Sequence, residues 1–281
     1  MTTTDAMPPI ARAATVLLLR PGTTIHPDSP GARPPEVFTI TRSTKLAFSA
    51  GVSAFPGGRI DPSDELPGRL WEGTDLAAWG RLLGLEPDAA GQVLAGVVRE
   101  TYEETGILLA QHRDGTPVDA ALVEGLPADT RIRVERHELD FGALLTDLDL
   151  RPAVSGLRPA SRWITPTGQS RRYDTFFFLT PLPRHQSPGT LSFEGAGSRW
   201  TTARAALEDF RSGRHQLLPP TWAQFRALEP VGSMQEALAL PGTMEPVSPA
   251  VTTTPPQALV GFPDHEAYAQ DLAEGLASGQ P

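Results

Sequence analysis

The chain has 281 residues, 40% of them hydrophobic, which suits one large globular domain with additions or one domain plus a small second one. Its formal net charge is −9, so general nucleic-acid binding is not expected, because phosphate contacts require an excess of lysine and arginine. The absence of cysteine excludes disulfides, thiolate catalysis and cysteine-ligated metal sites.

The apolar run before Arg20 is too short for a signal peptide, and no stretch approaches the ~18 apolar residues of a membrane span. The final residues, SGQP, do not match a peroxisomal address. We therefore expect a cytoplasmic protein without membrane association. The sequence neither indicates nor excludes a homo-oligomer.

The first half of the chain predicts two strands, a surface excursion and a long helix. The apolar run 13–19 predicts a buried strand, and the alternating residues of Glu36–Arg42 predict a second. A turn at Pro56-Gly57-Gly58 leads into a surface excursion over 59–86, with a short helix near 75–83. Pro87 and Gly106 bound the best helix pattern in the chain, 88–105.

The second half predicts further elements of both kinds, without a regular βαβ rhythm. Its expected strands are 107–110, 162–165 and 173–179, the last two as an antiparallel pair. Residues 118–148 are mostly helical in pattern, and further helices are expected from Thr201 or Thr202 to Gly213 and at 220–228. Residues from 241 onward are expected to be extended or disordered, except for a final helix that could dock. The chain is therefore predicted to be an α/β protein.

The run RETYEETG at 99–106 concentrates negative charge at the end of the long helix. At helical spacing Glu100, Glu103 and Glu104 share a ~100° arc, opposite a largely apolar face. Like charges at this spacing repel by ~0.2–0.5 kcal/mol per exposed pair, and a helix C-terminus is the unfavourable end for anions. The pattern therefore points to a hard divalent cation such as Mg²⁺, which prefers oxygen ligands. Arg99 can orient or offset one carboxylate.

A solvated acidic face is the alternative interpretation of these three glutamates. The glycine pair Gly57-Gly58 favours a site, because a glycine turn lets the backbone approach a ligand or metal closely. The residues alone leave both interpretations open.

Together these segments resemble the box of the Nudix hydrolases, G-x5-E-x7-R-E-U-x-E-E-x-G-U, in which U is aliphatic. Residues 99–107 match its second half, except that Thr101 occupies an aliphatic position. Gly58 matches the first glycine, and Asp64 stands where the first glutamate is expected. About 27 additional residues, 65–91, then divide the box.

A divided box resembles the Nudix subgroup that includes the mammalian peroxisomal coenzyme A diphosphatases. The segments RWITPTGQSRRYDTFFFL (162–179) and HQLLPPTWAQFRAL (215–228) are similar to later segments of that subgroup. The resemblance implies a Nudix-type α/β/α sandwich with a mixed sheet over residues 11–230. The sequence leaves open whether the insertion 65–91 is a lid or a surface loop. Residues 231–281 are expected to be a C-terminal extension, partly extended or disordered.

The resemblance also implies metal-dependent hydrolysis of a nucleoside diphosphate linked to another group. Glu100, Glu103 and Glu104 would bind Mg²⁺ or Mn²⁺, which neutralises charge on the diphosphate and activates the attacking water. Arg99, Glu100 and Glu104 are the implied catalytic residues of the box.

Other implied site residues lie outside the helix. Gly57 and Gly58 would contact the substrate or metal through their backbone. The general base is open between a box glutamate and Glu194, for which an ordinary surface position is the alternative.

Residues 38–58 resemble a further pattern that the family associates with coenzyme A. Arg42 and the FPGG segment fit this pattern, whereas Ala47 replaces a second arginine and Lys45 is a nearby substitute. Because coenzyme A carries a 3′-phosphate, Arg42 and Lys45 are implied substrate contacts. Ordinary solvent-exposed positions are the alternative for both.

Arg172 is another candidate substrate contact, for phosphate or adenine. Strand alternation places Arg172 on the same face as Asp174 and Phe176. The alternative is an internal ion pair between Arg172 and Asp174 that orders the hairpin.

The substrate expected from the resemblance is coenzyme A or acyl-coenzyme A, giving 3′,5′-ADP and a phosphopantetheine. Nucleotide sugars, dinucleotides and ADP-ribose are alternatives, but the signature SQPWPFPxS is absent and Ala121 replaces a proline expected in ADP-ribose enzymes. A catalytically silent Nudix fold that senses a ligand or binds a partner is a third hypothesis. Three intact box glutamates argue against it.

Overall fold

The computed structural model describes residues 10–23, 33–42, 51–189, 195–252 and 259–278. Its main element is a mixed nine-stranded sheet in which the strands follow the order β10-β3-β2-β1-β8-β7-β11, with β4 paired to β1 and β9 to β2. The strands are β1 (Ala11–Arg20), β2 (Glu36–Arg42), β3 (Val52–Ala54), β4 (Gly57–Arg59), β5 (Ala110–His112), β6 (Leu150–Pro152), β7 (Arg158–Ile164), β8 (Tyr173–Pro181), β9 (Gly195–Thr202), β10 (Gln216–Leu217), β11 (Pro246–Val247), β12 (Ala250–Val251) and β13 (Leu259–Val260).

Helices pack on both faces of this sheet. They are α1 (Leu76–Leu83), α2 (Pro87–Thr105), α3 (Ala120–Glu124), α4 (Thr130–Glu135), α5 (Phe141–Asp147), α6 (Ala203–Arg211), α7 (Pro219–Leu228), α8 (Met234–Leu238) and α9 (His265–Ser278). None of the helices in the described ranges has the length and apolar character needed to cross a bilayer.

Alternation along the central strand β1 produces two hydrophobic cores. Val16 and Leu18 face a core formed with α2, whereas Leu17 and Leu19 face a second core formed with α6, α7 and α9. This arrangement confirms the predicted α/β/α sandwich. It also explains the continuous apolar sequence of β1, since a strand covered on both faces has no solvent side.

The insertion 65–91 packs against the core, which corrects the predicted surface excursion, whereas the short helix predicted near 75–83 is confirmed as α1. Leu66, Leu70, Trp71 and Leu83 are buried in the core beside α2, and α1 packs along α2. The prediction failed because these apolar residues lie among prolines and acidic residues without helical periodicity.

The extension after residue 230 is also more ordered than predicted over its described residues, 231–252 and 259–278. Strand β11 joins the main sheet beside β7, and Tyr268 of α9 stacks on Phe210 at 5.5 Å between ring centroids. Asp271 accepts hydrogen bonds from Trp222 and Arg211. The predicted docking of the final helix is confirmed.

The mostly helical pattern predicted for residues 118–148 is confirmed as three short helices, interrupted near Gly125 and Pro127. Another local prediction is wrong in detail. The predicted strand 107–110 is a strand only from Ala110, because the side chain of Gln186, rather than a neighbouring strand, bonds the N–H and C=O groups of Leu108.

Candidate active site

Helix α2 carries the acidic run to the glycine turn. Pro87 occupies the first turn of the helix, and Gly106 caps its end at φ 77°, a left-handed conformation that favours glycine. Strand β4 pairs with β1 opposite residues 13–15, which holds Gly57 and Gly58 beside the last turns of α2. The two halves of the acidic motif therefore meet in space.

Arg99 lies at the centre of this cluster and is 4% exposed. Its guanidinium makes a two-pronged contact with Asp64, from Nε to Oδ1 at 2.7 Å and from Nη2 to Oδ2 at 3.0 Å. Nη1 contacts both oxygens of Glu103 at 3.0 and 3.1 Å and Oε1 of Glu100 at 3.0 Å. Nη2 also donates to the carbonyl of Arg59, which ties the turn to the helix.

Glu100 and Glu104 contact the glycine turn directly. The N–H of Gly57 donates to Oε2 of Glu104 at 2.8 Å. A Cβ atom on Gly58 would lie only 2.5 Å from Oε2 of Glu100, so the close approach requires glycine. The acidic face is therefore packed against the turn, which excludes the solvated alternative.

Burial dominates the electrostatics of these carboxylates. It raises the pKa of Glu100 to about 7, although Arg99 acts in the opposite direction. Burial also raises the pKa of Glu103. Burial alone would lower the pKa of Arg99, but the hydrogen bond to Asp64 and the nearby carboxylates raise it overall, so the guanidinium stays charged. One arginine thus faces three carboxylates, and the cluster holds excess negative charge.

The donor set fits a hard divalent cation in part. Glu100 and Glu104 are half-buried carboxylates next to backbone at the glycine turn, and the excess negative charge would favour a cation there. Glu103 is instead engaged by Arg99 through both oxygens. Across the described ranges, no three histidine, cysteine, aspartate or glutamate side chains already converge on one point suited to a metal ion.

A family model of the NUDT19 Nudix domain matches residues 85–228, which is more than half of the chain. The chain belongs to this Nudix family. It is therefore a Nudix hydrolase, a class that generally uses divalent metal ions and acts on small nucleotide substrates.

Curated relatives and a solved structure resemble this Nudix hydrolase over most of its length. The human protein named acyl-coenzyme A diphosphatase NUDT19 is 28% identical, over 92% of this chain and 80% of its own. The chicken protein of the same name is 27% identical, over 86% of this chain and 77% of its own. A crystal structure of a Nudix hydrolase from Alicyclobacillus acidocaldarius is 28% identical with a TM-score of 0.68, over 86% of this chain and 100% of that one.

The described residues leave out two site residues that the sequence predicted for this Nudix hydrolase, and the side chain of a third. Lys45 and Glu194 lie outside the described residues, and only the backbone of Arg42 is described. Arg42 ends β2 opposite Gly195, the first residue of β9. The chain neighbour of Glu194 is therefore adjacent to Arg42 in the sheet.

Arg172 contacts its own hairpin rather than forming the expected ion pair. Its Nε donates to the carbonyl of Thr165 at 3.1 Å, and Arg172 is 8% exposed. Asp174 pairs instead with Arg162 of the adjacent strand, at 2.8 and 2.6 Å. The predicted partner was wrong because Arg162 reaches Asp174 across the sheet, where it also lies over the Phe176 ring. These contacts favour a structural role for Arg172, and its substrate role stays a prediction.

Sequence reasoning missed the contact that closes the divided Nudix box. Asp64 reaches Arg99 across the insertion because Gly96 leaves room for it: a Cβ at Gly96 would lie 2.9 Å from Oδ2 of Asp64. An isolated glycine inside a strong helix pattern was the available signal. The departure at Thr101 is also explained, since its buried hydroxyl donates to the carbonyl of Val97 at 2.6 Å.

Proposed function

We propose that this Nudix hydrolase cleaves the diphosphate of coenzyme A or acyl-coenzyme A, giving 3′,5′-ADP and the corresponding phosphopantetheine. The observation that carries the proposal is that Glu100 and Glu104 lie against the Gly57-Gly58 turn. Arg99 contacts the other carboxylates of the box, Asp64 and Glu103, as well as Glu100. The human and chicken relatives, both named acyl-coenzyme A diphosphatases, support the substrate.

Within this proposal, each box residue has a distinct role. Glu100, Glu103 and Glu104 would hold Mg²⁺ or Mn²⁺. The ion would supply positive charge to the diphosphate oxygens and lower the pKa of a water molecule. Arg99 holds the carboxylates and the carbonyl of Arg59 in position, so that the helix and the turn face the substrate as one unit.

The hydrolysis adds one water across the phosphorus–oxygen–phosphorus bridge. The attacking water loses a proton to a general base, and the bridging oxygen leaves with one phosphate. A glutamate of the box would act as this base. Glu194 remains the alternative base, next to the strand position opposite Arg42.

Substrate recognition would rest on the end of β2. Arg42 and Lys45 would bind the phosphates of the adenosine half, and Gly57 and Gly58 would let the backbone approach the diphosphate. Arg172 is the weakest member of this predicted set, given its contact with Thr165. We place the enzyme in the cytoplasm.

A substrate panel tests the proposal. Coenzyme A, an acyl-coenzyme A, ADP-ribose, a dinucleotide and a nucleotide sugar are each incubated with the protein and Mg²⁺ or Mn²⁺ in ¹⁸O-labelled water. Mass analysis should find 3′,5′-ADP and a phosphopantetheine, with one labelled phosphate. Equal turnover of the nucleotide sugar and coenzyme A would reject the coenzyme A assignment, and turnover of none would favour the silent sensor.

Matched variants of α2 test the site. Glu104→Gln should lower kcat by ~100-fold or more while the protein stays folded, because a ligand of the ion that would neutralise the diphosphate is lost. Asp88→Asn is the control, since Asp88 is an exposed carboxylate in the first turn of the same helix. Full activity in Glu104→Gln would show that the site is wrongly placed.

A further inference from the structure

Gln186 is a buried amide whose polar groups are all bonded to backbone. It is 5% exposed and lies just after β8. Its Oε1 accepts from the N–H of Leu108 at 2.9 Å, and its Nε2 donates to the carbonyls of Leu108 at 3.1 Å and Val118 at 3.2 Å. The side chain thus takes the place of a neighbouring strand for the segment that leaves α2.

A second contact from the same segment reaches α2 itself. The N–H of Gly189 donates to the carbonyl of Thr105, the last residue of α2, at 2.8 Å. This carbonyl has no partner within the helix, because the final carbonyls of any helix point beyond its end. Gly189 and Gln186 therefore hydrogen-bond the backbone on the two sides of Gly106, at Thr105 and Leu108.

The last turn of α2 needs such support more than an ordinary helix end does. Helix ends fray, and this one carries Glu103 and Glu104 where the helix dipole disfavours anions. Glu100 lies one turn away from both, at i,i+3 and i,i+4 spacing, where like charges repel, and Arg99 bridges only Glu100 and Glu103 of the three. Without external contacts, loss of this turn would separate the carboxylates and relieve their repulsion.

We propose that Gln186 is a positioning residue for the metal-binding turn, which it keeps helical by clamping Leu108 and the start of the following segment. The inference rests on the proposed metal-binding role of Glu103 and Glu104. Gln186 touches neither substrate nor metal, and it acts through the backbone of residues 105–108.

A matched pair of glutamine variants tests this role. Gln186→Met keeps the length of the side chain and removes its three hydrogen bonds. Gln224→Met is the control, since Gln224 is 7% exposed, lies in α7 beneath the opposite face of the sheet and donates to Ser161 at 2.6 Å. Each variant is measured well below its own Tm, so that both are fully folded.

Mn²⁺ affinity, determined from the electron paramagnetic resonance signal of the free ion, is the first readout. Gln186→Met should weaken Mn²⁺ binding by ~10-fold, as expected for a contact that orients metal ligands, and Gln224→Met should leave it unchanged. Amide hydrogen exchange at residues 105–108 of the metal-free protein should accelerate in Gln186→Met only. On a substrate that the wild type cleaves, kcat should fall by about the same factor while KM stays within error.

Each result decides the matter. Unchanged Mn²⁺ affinity in folded Gln186→Met overturns the proposal, and so does an equal loss in both variants, which would indicate general destabilisation.

If Gln186→Met does not fold, Gln186→Glu replaces it at pH 8. Gln186→Glu retains the acceptor for the Leu108 N–H and loses the two donors, and the same criteria apply. If the wild type binds Mn²⁺ without cleaving coenzyme A, the proposed substrate is refuted. The Mn²⁺ affinities of the variants then still test the positioning role of Gln186. A wild type that binds no Mn²⁺ refutes both.

Discussion

Among single residues, Arg99 determines how the acidic motif is arranged. With Arg172 it is one of two buried arginines in the described ranges. It bonds a carboxylate before the insertion, two on its own helix and a carbonyl of the turn. A buried cation of this kind stabilises the fold only while its partners are present, because an unpaired buried charge has lost its hydration without compensation.

Removing the charge of Asp64 should therefore be costly. We expect Asp64→Asn to lower the free energy of unfolding by roughly 3–5 kcal/mol, the range for breaking a buried pair by removing one partner. Urea unfolding measures the change. Asp149→Asn is the comparison, since Asp149 pairs with Arg113 on the surface and should show no measurable change. Equal effects of the two substitutions would contradict the central role of the buried pair.

Glu100 should make the stability of the metal-free protein depend on pH. Its pKa rises from 4.5 to about 7 on folding, chiefly through burial, so the folded state binds the proton more tightly than the unfolded state. The resulting stabilisation is complete below the unfolded pKa and is lost as pH rises through the folded pKa. Between about pH 5 and pH 8 the free energy of unfolding should fall by up to ~3 kcal/mol.

Urea unfolding in EDTA across this range measures the effect, and Glu100→Gln should make the fall shallower. Glu103, whose pKa burial also raises, adds to the fall, whereas His215, whose pKa burial lowers from 6.5, opposes it, and both remain in the variant. Asp61 and Asp209 have lowered pKa values, so their contributions are lost only as pH falls below about 4 and do not overlap with this window. An unchanged slope in Glu100→Gln would contradict the assignment.

At the scale of elements, the insertion behaves as part of the core rather than as an appendage. Asp64 precedes it and Arg99 follows it, and the buried pair between them requires the intervening chain to return to the same place. Trp71 and Leu83 fill the space beside α2, and Gly84 ends α1 at φ 67°. The divided box is thus reassembled by packing within the insertion.

Two adjacent leucines of α1 test this packing. Leu83 is fully buried and Leu82 is 50% exposed. Leu83→Ala should cost roughly 2–5 kcal/mol of stability, from lost burial and the cavity left behind. Leu82→Ala should stay within about 0.5 kcal/mol of wild type, as is usual for surface positions. Similar losses in thermal or urea unfolding would mean that α1 does not pack as described.

At the scale of the whole molecule, the sandwich is completed by residues after position 230. Val231, Ala237, Phe262 and Tyr268 share the second core with α6 and α7. The Tyr268 hydroxyl donates to the carbonyl of Leu217 in the edge strand β10. We therefore do not expect residues 11–230 to form a stable unit alone, because loss of the extension would expose Trp222 and Phe210.

A substitution at Asp271 tests whether α9 stabilises the second core. It is 8% exposed and accepts from Trp222 Nε1 at 2.9 Å and Arg211 Nε at 2.8 Å. We expect Asp271→Ala to cost about 1–3 kcal/mol, because a buried indole N–H and a guanidinium lose their acceptor. Calorimetry should show a lower Tm than for Glu274→Ala, whose exposed carboxylate contacts Gln270. A Tm equal to that of wild type would show that α9 is dispensable.

The sequence alone determined most of what depends on short-range pattern. Burial on both faces makes β1 a continuous apolar run, alternation marks Glu36–Arg42 as a strand, and Pro87 and Gly106 delimit α2. Each signal lies within the element that it predicts, so no distant contact is needed to interpret it. The acidic run and the glycine turn were identified in the same way.

The tertiary structure decided the pairings between residues far apart in the chain. Asp64 with Arg99, Asp174 with Arg162, and Gln186 with Leu108 are separated by 35, 12 and 78 positions. Apart from the isolated Gly96 beside Asp64, local sequence does not distinguish these partners, because a polar side chain has the same local pattern whether it meets water or a buried cation. Only the packed arrangement of sheet, insertion and C-terminal segment shows which charges share a desolvated space, and this arrangement converts an acidic helix into a candidate active site.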